Sequence, residues 1–242
     1  MNNKRAFTLA EVIIVVGILG LVAEMTIPTL MQNIQEQTTI TTLKKAYSTL
    51  SQAYTLAVQE NGTPDNWGLA DGDTTGVGAV NLLNTLKPYL RITKDCGTGS
   101  GCYPTSMETL NKTISLDYNT LQNHAKIQLT DGSIMAFWSG SSNCSYNLGS
   151  TQSLSNICGA VHVDINGFKK PNQWGVDYFQ FFVTKFGIIP VGSALEINRF
   201  VDDCRDKTTA NGLGCTAWVI YNENLDYLHC SDLAWGGKTK CD

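Results

Sequence analysis

Three patterns of apolar and polar residues follow one another along the chain. Residues 12–23, VIIVVGILGLVA, form an unbroken apolar run with Glu11 before it and Glu24 after it. Taken from 7 to 27, the stretch makes a helix of about 31 Å at 1.5 Å per residue, one passage through a bilayer core. Beyond Pro28 the chain turns polar, yet Leu43, Tyr47, Leu50, Tyr54 and then Ala57 or Val58 recur in steps of three and four. That is the stripe of an amphipathic helix, and Asn61-Gly62 supplies its C-terminal stop. A helix from 7 to 60 would run for roughly 80 Å. Pro28 removes a backbone donor and Gly20 weakens the helix upstream, so flexibility is expected between these two residues.

After residue 60 the period shortens. AVNLLNTLKPYLRI, residues 79–92, predicts a short helix interrupted near Pro88. KIQLT and SIMAFW flank Asp131-Gly132, a strong hairpin signal, and AVHVDI, YFQFFVT and GIIPVG are further strand candidates. An antiparallel sheet packed on the amphipathic half of the long helix would bury both apolar faces, so the expected fold class is α+β. TAWVIY, residues 216–221, is apolar enough to bury but reads equally as a covering helix or an edge strand. Trp235-Gly236-Gly237 is expected to form a turn. The expected organisation is a leader over 1–6, a helix over 7–60 divided at 27/28 into a spanning and an amphipathic part, and a globular head over 61–242.

Composition narrows the function. The formal charge is −4, and Lys and Arg occur in no block longer than a pair, which gives nucleic acid no electrostatic footprint. All eight cysteines, at 96, 102, 144, 158, 204, 215, 230 and 241, lie after residue 95, and none is in a C-x-x-C pair. Disulfides are the better reading, which places this part of the chain outside a reducing cytoplasm. Sequence alone does not fix the connectivity. Nearest-neighbour pairing, Cys96 with Cys102, Cys144 with Cys158, Cys204 with Cys215 and Cys230 with Cys241, closes the shortest loops, and a loop of about 15 residues stabilises by roughly 3 kcal/mol in the chain-entropy picture. Lys4 and Arg5 precede the apolar segment with no acid among them, which holds the N-terminus in the cytoplasm and sends the rest out. A cleaved secretory signal fits less well, since a cut after Ala23 would leave Leu21 at the third position back.

Ala6-Phe7-Thr8-Leu9-Ala10-Glu11, the apolar stretch and Thr26-Ile27-Pro28 together resemble the N-terminus of type IV pilins and type II secretion pseudopilins. The resemblance implies cleavage by a prepilin peptidase between Ala6 and Phe7, with N-methylation of the new Phe7 amine. Ala6 stands where that family usually has Gly. Glu11 becomes the fifth mature residue and Pro28 the twenty-second, both positions of the family pattern. The resemblance further implies that Glu11 pairs with the α-amino group of a neighbouring subunit during assembly, and that residues 20–28 can lose helicity in a filament. The implied partners are other pilin or pseudopilin subunits, the peptidase, inner-membrane assembly machinery and membrane lipid. The implied location is the bacterial inner membrane in a single pass, then a periplasmic pseudopilus or a surface pilus. Glu24 is expected to mark the outer edge of the membrane. Two alternatives remain: a monomeric membrane-anchored binding or adhesive protein, and an exported enzyme on the same anchor.

Residues 163–183, VDINGFKKPNQWGVDYFQFFV, resemble a segment of some bacterial pilin-like proteins. Asp164-Ile165-Asn166-Gly167 begins as a calcium loop does, with oxygen ligands at alternate positions, and Asp177 would return another carboxylate. Gly175 stands where an EF-hand needs its bidentate Glu. Turn chemistry explains the same residues without a metal, Asn166-Gly167 and Pro171-Asn172 turning the chain and Asp177 binding loop backbone. No cofactor beyond this calcium alternative is expected. His124, His162 and His229 are scattered, each expected on the surface or in a strand, and neither G-x-S-x-G nor a phosphate loop occurs, so no enzyme is expected.

Overall fold

A computed structural model describes residues 8–193, 195 and 199–242. Ala6 and Phe7 lie outside the described residues. The chain divides into two compact units, one ending at Thr38 and one comprising Thr39–Asp242.

The first unit is helical from Leu9, the start of helix α1 (Leu9–Asn61), and the helix runs through Pro28 without a break. Every large apolar side chain from Leu9 to Ile34 is exposed. An exposed apolar surface of this extent is the kind that meets lipid or another chain. The helix is long and apolar enough to cross a membrane by length and composition.

The second unit takes in α1 from Thr39 onward, where Ile40, Leu43, Ala46, Leu50, Ala53, Tyr54 and Ala57 are buried along one face. They lie against a six-stranded antiparallel sheet of order β1-β4-β5-β6-β7-β8. Its strands are β1 (Ile92–Gly97), β4 (Ala125–Leu129), β5 (Ile134–Ser139), β6 (Ile157–Asp164), β7 (Tyr178–Thr184) and β8 (Gly187–Pro190). Between β1 and β4 the chain makes a separate pair, β2 (Met107–Glu108) with β3 (Ser115–Leu116). Period-two alternation sends Ile127, Met135, Phe137, Val161, Val163, Phe179, Phe181 and Val183 into one core with α1. Tyr47 stacks on Phe181 at 5.5 Å between ring centroids, and the Tyr54 hydroxyl donates to the Thr184 carbonyl at 3.0 Å. Lys45 of α1 pairs with Asp131 in the β4–β5 turn at 2.7 Å, the turn foreseen at Asp131-Gly132. Helix α2 (Val77–Leu86) covers β4 and β5, and a single 3₁₀ turn over Lys87–Tyr89 accommodates Pro88.

The opposite sheet face is covered too, chiefly by chain between β1 and β4 and between β6 and β7: Tyr103, Met107, Tyr118 and Trp174 pack on Ile134, Ala136 and Tyr178. All eight residues of β6 are therefore buried, His162 and Asp164 among them. Thr216–Asn222 forms helix α4, which resolves the helix-or-strand ambiguity of that segment; it follows the short helix α3 (Arg199–Asp203) and packs on β7 and β8. Trp235 and Gly236 form the expected turn, and the Trp235 indole packs against Phe200 and Trp218. The disulfides Cys96–Cys102, Cys144–Cys158, Cys204–Cys215 and Cys230–Cys241 each join sequence neighbours.

Candidate functional site

At the start of α1, the Glu11 carboxylate accepts from the backbone N–H of Thr8 and from its hydroxyl, both at 2.8 Å, while the Thr8 hydroxyl accepts the Glu11 N–H at 3.3 Å. This reciprocal pair is a capping box, and it satisfies donors that a helix start would otherwise leave bare. The Glu11 carboxylate thus has partners within its own chain. Gly20 has open space where a side chain would be, with nothing within 4 Å, and Glu24 is exposed.

In the second unit the β6–β7 loop gathers the residues singled out in its sequence. Asp164 Oδ1 accepts from the backbone of Asn166 at 3.2 Å and of Gly167 at 2.8 Å, closing the first turn. Asp177 Oδ2 accepts from Asn166 Nδ2 at 3.0 Å and from the Asn172 N–H at 2.9 Å, and its Oδ1 from the Gln173 N–H at 2.6 Å. Asp177 therefore organises loop backbone. Two glycines allow the loop to lie close to its neighbours. Gly167 has φ +71°, and a Cβ there would stand 2.5 Å from the Gly132 carbonyl; Gly175 has φ +73°, and its Cβ would stand 2.8 Å from Cys215 Sγ. The loop is thus seated between the β4–β5 turn and the Cys204–Cys215 disulfide. Burial pushes the Asp164 carboxyl up to about 8, with the Asp177 charge adding to it. Asp177 is also raised by burial, against the pull of its hydrogen bonds from Gln173, Asn172 and Asn166. Among the described residues no three His, Cys, Asp or Glu side chains converge as a metal-binding group.

Beside this loop the fold assembles a cluster that spacing did not suggest. His124 and His162 stand 5.2 Å apart between ring centroids, each edge-on to Tyr118 at 5.6 Å, and His162 also meets Trp174 at 5.3 Å. The expectation of a surface or strand position fails for His124, which lies in the bend before β4 and is only 7% exposed. Tertiary packing brings the pair together across 38 positions of sequence, a distance at which no local spacing rule operates. Burial, followed by the nearby Lys126 charge, depresses the His124 imidazole to about 4, with Asp73 opposing. His162 is likewise held well below the usual imidazole range, by burial and then by His124. Fully buried Lys126 donates to the carbonyls of Leu121 at 2.6 Å, Asn119 at 3.0 Å and Tyr118 at 3.4 Å, so its ammonium ties the preceding loop to β4.

Comparison with known proteins places both halves of this description. Residues 1–23 match the prokaryotic N-terminal methylation motif, the kind of motif on which the resemblance to type IV pilins and pseudopilins rests. Residues 29–187 match a family of unknown function (DUF6613). The chain belongs to this family. The family region takes in the amphipathic part of α1 and the sheet through β7, and with them Asp164, Asn166, Asn172 and Asp177. No curated protein and no solved structure matches the chain. A methylation motif followed by an exposed apolar helix fits a membrane-anchored, exported protein of the pilin type, structural in character.

Proposed function

We propose that this family member is a prepilin-type subunit, cleaved between Ala6 and Phe7, N-methylated at Phe7 and assembled through α1 into a type IV pilus or a type II secretion pseudopilus. The observation that carries the reading is the methylation motif continuing directly into a helix whose large side chains are exposed from Leu9 to Ile34. In the inner membrane lipid covers that surface, and in a filament the same segment of neighbouring subunits covers it. The disulfide-bonded unit then lies on the exported side, as the cations Lys4 and Arg5 before the span require.

Glu11 is the assembly contact in this reading. Its carboxylate is held by Thr8 in the single chain, so pairing with the amine of an incoming Phe7 exchanges hydrogen bonds within the chain for an ion pair between chains. An ion pair in hydrocarbon is far stronger than one in water, which gives the exchange its direction. Intact-mass and peptide analysis of protein from the native membrane tests the processing step. Loss of residues 1–6 with a methylated Phe7 amine is expected, and an intact N-terminus would leave α1 as a tether only. Glu11→Ala is expected to leave cleavage and export unchanged and to lower the yield of sheared filament at least tenfold; an unchanged yield refutes the pairing.

A further inference from the structure

We propose that the β6–β7 loop is a calcium site whose ligands are the side-chain oxygens of Asp164, Asn166 and Asn172, with Asp177 as the positioning carboxylate. This goes beyond the assembly reading and does not depend on it.

Three buried oxygens of this loop, Asp164 Oδ2, Asn166 Oδ1 and Asn172 Oδ1, have no hydrogen-bond partner among the described residues. Asp164 is fully buried and Asn172 is 9% exposed, so bulk water does not reach them freely. A buried polar atom without a partner is costly, and three in one loop call for a common explanation. Each of the three residues is also tied into the loop through another of its atoms. Asp164 Oδ1 holds the first turn, Asn166 Nδ2 holds Asp177, and the Asn172 N–H holds the same Asp177 oxygen. What remains is a set of hard oxygen atoms, one from a carboxyl group and two from amides, the chemistry of a Ca²⁺ loop, where carbonyl oxygens and water complete six to eight ligands.

A loop with two carboxylates and no bidentate Glu suggests affinity in the range of extracellular modules, a Kd of about 10⁻⁴–10⁻³ M. Full-length protein in detergent, stripped with EDTA, is titrated with CaCl2, with MgCl2 and KCl as controls. Saturable stabilisation by calcium is expected, with Tm raised by roughly 5 °C at tens of Kd. Tb³⁺ is expected to show luminescence sensitised by Trp174, which is buried two residues from Asn172 and edge-on to Tyr178 at 4.3 Å. Asp164→Asn and Asn172→Gly are each expected to weaken binding at least tenfold while keeping the near-UV circular dichroism. Glycine suits position 172, where φ is +54°. No saturable shift with calcium overturns the proposal, as does a wild-type response in both variants. An equal response to magnesium overturns the assignment to calcium.

Discussion

His124 shows how a single buried side chain makes the whole unit sensitive to acid. Its imidazole titrates at about 4 in the fold against about 6.5 when unfolded, because burial removes the water that would stabilise the cation. Between those values the unfolded chain binds a proton that the folded chain does not, so stability rises with pH across the window and falls as pH drops from 6.5 towards 4. The full effect at pH 4 is about 3 kcal/mol, from some 2.5 units at 1.36 kcal/mol each. Urea titrations at pH 7 and pH 4.5 check it: the loss of stability on acidification is expected to be smaller by about 2 kcal/mol in His124→Gln, whose amide keeps a polar edge toward Asn123. An equal loss in both proteins refutes the assignment. Nothing in the sequence near His124 announces this behaviour. Burial is the main cause and is completed by the His162 ring, which the tertiary fold brings in, while Lys126, two residues along the chain, adds its charge.

Elements divide by how much of their stabilisation is local. Helix α2 is preceded by a left-handed Gly76, and Asp73 meets the amides around its start: Oδ1 accepts from Thr75 at 3.0 Å and Gly76 at 2.8 Å ahead of the helix, and Oδ2 from Ala79 at 3.0 Å in its first turn. Burial of Asp73 is outweighed by these bonds, which hold its carboxyl below the usual range. Asp73→Ala is expected to lower unfolding free energy by about 1–2 kcal/mol, read as a lower urea midpoint with unchanged slope. Truncation in the core costs more. Leu50→Ala, at a position with no exposure, is expected to lose about 3 kcal/mol or more through the cavity it leaves.

The same division explains what the sequence reveals. The long helix, the hairpin at Asp131-Gly132 and strands β6 to β8 are legible because period and turn residues are local signals. Strands β2 and β3 are two residues each, too short for any period, and β1 carries bulges at Thr93 and Cys96 that break its alternation. In the β6–β7 loop, Asp164, Asn166 and Asp177 stand out by spacing. Asn172 passes for an ordinary turn residue, because only the folded loop shows its oxygen buried and unpartnered.

Across the whole molecule, the boundary between the two units falls inside a continuous helix, and that placement has a consequence for dissection. Residues 39–61 belong energetically with the sheet: Ile40, Leu43, Leu50 and Tyr54 are buried in its core and Tyr47 stacks on Phe181. At about 1.5–3 kcal/mol for each large buried side chain, the face contributes on the order of 10 kcal/mol, comparable to the net stability of an entire domain. Deleting residues 1–38 leaves this face in place and removes the exposed apolar segment. The product is expected to be soluble without detergent, to melt cooperatively and to hold all four disulfides when made in an oxidising compartment. Deleting residues 1–61 uncovers Val161, Val163, Phe179 and Phe181 instead, and that product is expected to aggregate or to be degraded although no disulfide has been touched. Expression of both truncations in a periplasm, followed by size-exclusion chromatography and thermal melting, decides the matter. A soluble, cooperatively melting product from residue 62 onward would mean that the disulfides and the remaining layers suffice without the helix.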